Sequence, residues 1–188
     1  MDNRSAILAN ALQLFAARGY DAVGVQEIAE AAGITKPTLY HYFGSKRGLL
    51  DALLEKDFAP LTQAVQEAAE YHNDLPLTLE KVMRAYFDFA KSHRAFYRMQ
   101  LSLWFTPQQG EAFQAVAPWN EKNYRALEQM FLQAAKQHGN MKGRQRAYAT
   151  TLLGVINTYI GMALNDYVEL DAPLVYQAAH QFMHGIFS

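Results

Sequence analysis

The chain of 188 residues contains no cysteine, which excludes a disulfide framework and a thiolate metal site. No run of about 18 consecutive apolar residues occurs, so we expect no helix that spans a membrane. The first residues also lack the basic and apolar blocks that together mark a secretion signal. These absences favour a cytoplasmic protein without membrane contact.

Strong net charge and catalytic motifs are absent as well. The formal net charge is −1, so overall charge neither favours nor excludes a nucleic-acid partner. There is no Gly-rich phosphate loop, no nucleophile elbow and no Glu-x-x-His pair of the kind that binds two metals in a helical bundle. A helical-bundle enzyme is therefore disfavoured, and we expect no catalytic residue and no cofactor.

Apolar residues make up 51% of the chain and recur almost everywhere at helical spacing, without an alternating strand pattern. The sequence therefore predicts an all-α protein of about nine helices. Gly19, Gly33 and Gly44 are predicted to end the first three, and Ser45 to cap the fourth. The fourth should run to about residue 71 with an irregularity at Pro60. The later helices are expected over about 78–92, 95–105, from beyond "TPQQG" to 138, 143–168 and 173–187.

The stretch "AAGITKPTLYHYFGSKRGLL" contains one very short helix that follows a turn at Gly33. Two helices meeting at such a turn form a helix-turn-helix, whose second helix lies in the DNA major groove. Pro37 falls in the first turn of that helix, where its missing N–H has no consequence. The positions at which this motif needs apolar anchors are occupied by Ile28, Ala32, Ile34, Leu39 and Tyr42.

Residues 4–50, "RSAILANALQLFAARGYDAVGVQEIAEAAGITKPTLYHYFGSKRGLL", resemble the TetR family of transcriptional regulators, most specifically in "LYHYFGSKRGLL". The resemblance implies a helix-turn-helix DNA-binding domain at residues 1–47. It also implies a helical domain at residues 48–188 for effector binding and dimerisation. The expected function is a ligand-responsive repressor that binds a palindromic operator in double-stranded DNA and is released by a small apolar or aromatic effector.

The resemblance also implies individual DNA contacts. The face expected in the major groove carries Thr35, Lys36, Pro37, Thr38 and His41. Backbone phosphates would be held by Lys46 and by Tyr42, or by Tyr40 on the neighbouring face. Gly24 stands where many members carry Ser or Thr, so the hydroxyl contact is lost there and we expect Gln26 to replace it.

The middle of the chain is rich in aromatic residues, since 11 of the 24 lie between Tyr86 and Phe131. Most should fill the core, but an apolar and aromatic pocket with a few polar groups is also typical of a ligand site. The candidate effector residues are Phe87, Tyr97, Trp104, Phe105, Trp119, Asn123, Tyr124 and Asn157. The alternative is a C-terminal domain that recognises a protein partner and encloses no small molecule.

The last two predicted helices favour a homodimer. The penultimate helix is apolar around much of its girth and must be covered on more than one face. Gly154 and Gly161 lie on nearly one side, where a second helix could approach closely. The last helix adds an apolar stripe from Val175 to Ile186. His180 and His184 have a metal-binding spacing, but no acidic residue completes a zinc-protease pattern and we expect no metal there.

Overall fold

A computed structural model describes residues 2–185, which form nine α-helices and no strand, as predicted. A short 3-10 turn, Gly139–Met141, follows the seventh helix. The helices are α1 (Asn3–Arg18), α2 (Val25–Ala31), α3 (Lys36–Phe43), α4 (Lys46–Ala68), α5 (Leu75–Ser92), α6 (Arg94–Trp104), α7 (Glu111–Ala134), α8 (Gln145–Leu164) and α9 (Ala172–His184).

The first three helices end at or shortly before the predicted glycines. Gly19 follows α1 with φ of 82° and Gly44 follows α3 with φ of 71°, a region that favours glycine. The Ser45 hydroxyl oxygen accepts a hydrogen bond from the Gly48 N–H at 2.9 Å and thereby caps α4. The α4 cap predicted from the sequence is confirmed.

Several later bounds differ from the prediction because of local hydrogen bonds and backbone angles. α5 begins at Leu75, before the predicted residue 78, because the Asp74 carboxylate caps it by accepting from the Leu77 N–H at 2.9 Å. α8 ends at Leu164, and Asp166 then turns into the left-handed region with φ of 60°. Both α4 and α7 continue through their internal prolines. The predicted helix end at 187, with Ile186, lies outside the described residues.

The chain groups into two compact units. Unit 1 comprises the residues up to Ala59 together with His93–Pro118. Unit 2 comprises Pro60–Ser92 together with the residues from Trp119 onward. The boundary expected from the sequence, between a DNA-binding domain at residues 1–47 and a helical domain at residues 48–188, stays a prediction.

In unit 1, α1 packs against both α2 and α6. Phe15 of α1, Ile28 of α2 and Leu39 of α3 are fully buried, so the three short N-terminal helices share one apolar core. The rings of Phe58 and Phe96 meet edge to face with centroids 5.1 Å apart. This core fixes the helix-turn-helix by side-chain burial and not by helix propensity alone, since a helix of eight residues is unstable by itself.

The corner between α3 and α4 is closed by a backbone contact. A Cβ atom placed on Gly48 would stand 2.1 Å from the carbonyl oxygen of Phe43. No side chain fits at that distance, so the position requires glycine for steric reasons. A capping box that begins at Ser45 would carry Glu or Gln at position 48, and the same contact excludes both side chains there.

In unit 2, α5 packs against α8 and α9, which also contact each other. α8 is long and apolar enough to cross a membrane by length and composition alone. Of its most apolar stretch, 33% is buried inside the protein. The sequence did not predict such a helix, because Thr, Asn and Gly residues interrupt the apolar residues of α8. The core helix of a soluble protein can have the same length and composition, so these properties alone are weak evidence for a membrane span.

Candidate nucleic-acid interface and effector residues

α3 has one buried and one exposed side, as a helix that enters a DNA groove requires. Leu39 is fully buried and attaches the helix to the core. The Thr35 hydroxyl oxygen caps the helix by accepting from the Thr38 N–H at 3.4 Å, and Pro37 lies in the first turn. Thr38 is half-buried, and the predicted contact residues that are exposed are Thr35, Lys36, Pro37, Tyr40, His41 and Tyr42.

Tyr40 and Tyr42 are both exposed by 41%, so either phenol can reach a phosphate and the two alternatives remain open. Tyr42 is therefore not the apolar anchor that the sequence predicted. Phe43, one position later, is half-buried instead, and the Arg4 guanidinium carbon lies 5.6 Å from the centroid of its ring. The neighbouring Lys36 ammonium lies 5.9 Å from the Tyr40 ring.

The start of α2 lacks a side-chain cap. Gly24 occupies the cap position in an extended conformation and its backbone alone precedes the helix. Gln26 is exposed in the first turn, and its amide nitrogen donates a hydrogen bond to the Glu30 carboxylate at 2.7 Å. Because a side-chain amide nitrogen carries two hydrogens, the bond to Glu30 leaves Gln26 a second one to donate to a phosphate.

Lys46 is half-buried at the start of α4 and contacts the turn between α1 and α2. Its ammonium donates a hydrogen bond to the Tyr20 carbonyl oxygen at 2.6 Å and lies 4.1 Å from the centroid of the Tyr20 ring. Burial lowers the pKa of Lys46, while Asp21 and Glu111 act in the opposite direction. The sequence did not predict this contact, because it joins residues 26 positions apart.

Glu111, the first residue of α7, links two further residues of unit 1. The Tyr20 hydroxyl donates to its carboxylate at 2.8 Å, and the Arg47 guanidinium donates to its carbonyl oxygen at 3.1 Å. Burial raises the pKa of Tyr20, and the hydrogen bond to Glu111 raises it further. The start of α7 is thus bonded both to the turn after α1 and to α4.

Two cations near the proposed interface, Arg4 and Lys36, have no carboxylate partner within the described residues. By contrast, Arg18 and Arg47 each form an ion pair with a carboxylate. Lys36 was predicted as a DNA contact, but Arg4 was not. The position of Arg4 in the first turn of α1 is visible in the sequence, but its proximity to Phe43 at the end of α3 is not.

The candidate effector residues belong to both units. In unit 1, Tyr97 is buried, whereas Trp104 is 43% exposed and stacks on Phe113 with ring centroids 5.4 Å apart. Phe105, at the end of α6, is 84% exposed. A side chain so open to solvent does not fit the lining of an enclosed site, and we therefore remove Phe105 from the candidates.

Unit 2 holds the other five candidates. Phe87 is buried, with its ring centroid 6.4 Å from that of Tyr159. Trp119 is partly exposed beneath the Lys122 ammonium, which is 4.6 Å from its ring, and the half-exposed Tyr124 donates to the Arg146 carbonyl oxygen. Asn157 is half-buried. Asn123 is buried, and its side-chain oxygen has no hydrogen-bond partner.

His180 and His184 lie on the exposed side of α9 with ring centroids 4.4 Å apart. Within the described residues, no group of three or more His, Cys, Asp or Glu side chains could hold a metal ion. The two rings therefore form part of the outer face of α9, next to the exposed ring of Tyr176.

Comparison with known proteins gives matches for the N-terminal part and for the fold. Residues 7–53 match the family described as bacterial regulatory proteins, tetR family. The transcriptional activator FasR of Mycolicibacterium smegmatis is 36% identical over 98 residues, 52% of this chain and 45% of the relative. The transcriptional repressor KstR2 of Rhodococcus jostii is 38% identical over 93 residues, 49% and 46% of the two chains. The chain thus spans about half the length of the curated relatives it matches.

Solved structures match nearly the whole chain. The TetR family regulator PfmR from Thermus thermophilus has a TM-score of 0.78 at 20% identity, covering 100% of this chain and 99% of its own. FadR from Bacillus subtilis in complex with stearoyl-CoA has a TM-score of 0.78 at 21% identity, covering 97% and 98%. At these identities the likeness shows the fold.

Proposed function

We propose that this chain, whose residues 7–53 match the tetR family of bacterial regulatory proteins, is a repressor that binds a palindromic operator as a homodimer and is released by a small-molecule effector. The observation that carries the proposal is the two-sided α3, anchored by Leu39 and open along its opposite face. So short a helix makes few base contacts, and useful affinity therefore requires two copies.

The proposed DNA contacts divide into two kinds. Thr35, Lys36, Pro37, Thr38 and His41 face the bases and give sequence preference, whereas phosphate contacts fix the register of the helix. The phosphate contacts are Tyr42 or Tyr40, Gln26 and Lys46. An ammonium group has three donors and Lys46 uses one for the Tyr20 carbonyl, so the others can reach a phosphate.

The proposed dimer is formed by α8 and α9. The inner side of α8 is buried in the protomer, while Gly154 and Thr158 lie on its outer side. A Cβ added to Gly154 or Gly161 meets no atom within 4 Å, which leaves room for a second helix. On α9, Tyr176 and Met183 are exposed apolar side chains. Two such helices from each chain would make an isologous four-helix interface.

The proposed effector binds in the helical part of the chain that follows the DNA-binding domain. This effector domain is proposed to span residues 48–188, with the bounds expected from the sequence. FadR from Bacillus subtilis, which shares this fold, is described in complex with stearoyl-CoA. The apolar acyl chain of that ligand supports an effector with a large apolar part for the present chain. To act as a switch, the effector must bind the two conformational states unequally, and shifting a 1:99 balance to 99:1 takes roughly 5.5 kcal/mol.

The test of this function is selection of operator DNA from a random pool, followed by binding measurements with purified protein. We expect a palindromic site whose half-sites lie about 34–36 Å apart, or a multiple of that distance, bound by a dimer. Lys36→Ala should change the preferred sequence, whereas Lys46→Ala should weaken binding to all sequences and lower the salt slope by about one unit. Failure to select any sequence would refute the proposal. Binding that no small molecule relieves would favour the alternative of a protein partner.

A further inference from the structure

Among the described residues of unit 2, three buried side-chain oxygens have no hydrogen-bond partner. They are the hydroxyl oxygen of Thr62 on α4, the hydroxyl of Tyr86 on α5 and the side-chain oxygen of Asn123 on α7. The three side chains are 7%, 2% and 3% exposed, respectively. Each of the three helices therefore places one unpaired oxygen on its buried side.

The unpaired state of Thr62 contrasts with the hydrogen bonds that two other helical threonines of unit 2 form. Thr78, in the first turn of α5, donates to the Asp74 carbonyl oxygen at 2.6 Å, and Thr158 donates to the Gly154 carbonyl oxygen at 2.8 Å. This bond to the residue four positions earlier is the ordinary partner of a helical threonine. Thr62 does not form it, so its hydroxyl remains available for another acceptor or donor. Buried polar atoms are nearly always paired, and an exception calls for a ligand, a water or a function.

The charge of unit 2 restricts what can bind these oxygens. Among its described residues, the buried polar side chains are neutral, and the buried carboxylate of the chain, Asp57, belongs to unit 1. Burial raises the pKa of Tyr86 and so keeps its phenol protonated as a hydrogen-bond donor. A charged group placed among these side chains would have no counter-ion, which is strongly unfavourable in an apolar core.

We propose that Thr62, Tyr86 and Asn123 bind the uncharged polar group of a largely apolar effector, such as an ester, thioester or amide, and that they discriminate against a free carboxylate. The proposal rests on the effector function proposed above and assigns it a chemical class. The two hydroxyls donate to the carbonyl oxygen of such a group, and the Asn123 oxygen accepts from a donor on the ligand or on a bound water.

The first experiment compares two threonines of unit 2 that are both buried. Thr62→Val removes an unpaired hydroxyl and should leave the melting temperature of the free protein unchanged or higher. Thr78→Val removes a bonded hydroxyl and should lower it by about 2–4 °C for a chain of this size. An equal loss in both variants would show that Thr62 has an internal partner and would overturn the proposal.

The second experiment measures the binding of two probes with the same acyl chain, methyl dodecanoate and dodecanoate, by calorimetry at neutral pH. We expect the ester to bind wild-type protein at least about tenfold more tightly than the carboxylate, which would have to be buried without a counter-ion. Thr62→Val and Tyr86→Phe should each weaken ester binding about two- to tenfold, and Thr78→Val should not.

Equal or tighter binding of the carboxylate overturns the proposal, as does wild-type protein that binds neither probe. Ester binding that Thr62→Val and Tyr86→Phe leave unchanged overturns the residue assignment. None of these results affects operator selection by the ligand-free dimer, so failure of this proposal is distinguishable from failure of the proposed DNA-binding function.

Discussion

Replacing Lys46 by methionine separates a structural role of this residue from its proposed phosphate contact. Methionine keeps most of the apolar side chain but removes the ammonium. The substitution therefore deletes the 2.6 Å hydrogen bond to the Tyr20 carbonyl oxygen and the contact at 4.1 Å with the Tyr20 ring.

The size of the effect follows from these two contacts. A hydrogen bond from a charged donor contributes about 1.5–3 kcal/mol, and a cation–π contact about 0.5–1 kcal/mol. The desolvation that lowers the pKa of Lys46 opposes both. We expect a net loss of about 1–2 kcal/mol in the free energy of unfolding, which corresponds to a fall of about 2–8 °C in melting temperature.

The assay is thermal unfolding of wild type, Lys46→Met and the control Lys36→Met, each at low and at high salt. Lys36 is exposed, and its ammonium lies 5.9 Å from the Tyr40 ring in a solvated contact, so its substitution should lower the melting temperature much less than Lys46→Met does. The loss in Lys46→Met should persist at high salt, because a partly buried contact is weakly screened. A melting temperature equal to that of wild type would refute the structural role of Lys46.

Three further predictions concern other parts of the chain. Gly48→Ala should destabilise the protein by about 1–3 kcal/mol in urea unfolding, because its Cβ would meet the Phe43 carbonyl oxygen; a neutral effect would contradict the closed corner. Burial raises the pKa of Asp57 above its ordinary value of 3.8. The contribution of Asp57 to the free energy of unfolding is therefore fully present below pH 3.8 and is lost as the pH rises and the buried carboxyl ionises. Asp57→Asn should therefore raise the melting temperature at neutral pH, by an amount that shrinks on acidification; an increase that does not depend on pH would argue against this explanation. If the proposed dimer forms through α8 and α9, Gly154→Leu should convert it to monomer in sedimentation with its helix content retained, and a dimer of unchanged affinity would place the interface elsewhere.

The helices could be predicted from the sequence wherever their ends are encoded by single residues. Gly19 and Gly44 end helices through their own backbone angles, and Ser45 caps α4 with its own hydroxyl. The start of α5 was placed too late because Asp74, which caps it, stands among other polar turn residues in "HNDLP". Local chemistry of this kind is readable one residue at a time.

The candidate site was less predictable because it depends on contacts between distant residues. The resemblance implied an exposed face on α3, and its residues are exposed except Thr38, which is half-buried. Tyr42, predicted as an apolar anchor, is exposed. The contact of Lys46 with Tyr20, and that of Arg4 with Phe43, join different helices and leave no periodic pattern. The aromatic excess could not separate core residues from exposed ones such as Phe105, and the other effector residues stay a prediction.

The close backbone contact at Gly48 is expected to make α3 and the first turn of α4 a single rigid body. Because there is no room for a side chain between Gly48 and the Phe43 carbonyl oxygen, and because the Ser45 hydroxyl accepts from the Gly48 N–H, we expect the two helices to have little freedom to change the angle between them. We therefore expect α3 to move together with the first turn of α4, so that a small rotation of α4 displaces the exposed face of α3. In a dimer, a small tilt of α4 would then change the distance between the two α3 helices, and with it the spacing of half-sites that the protein can bind.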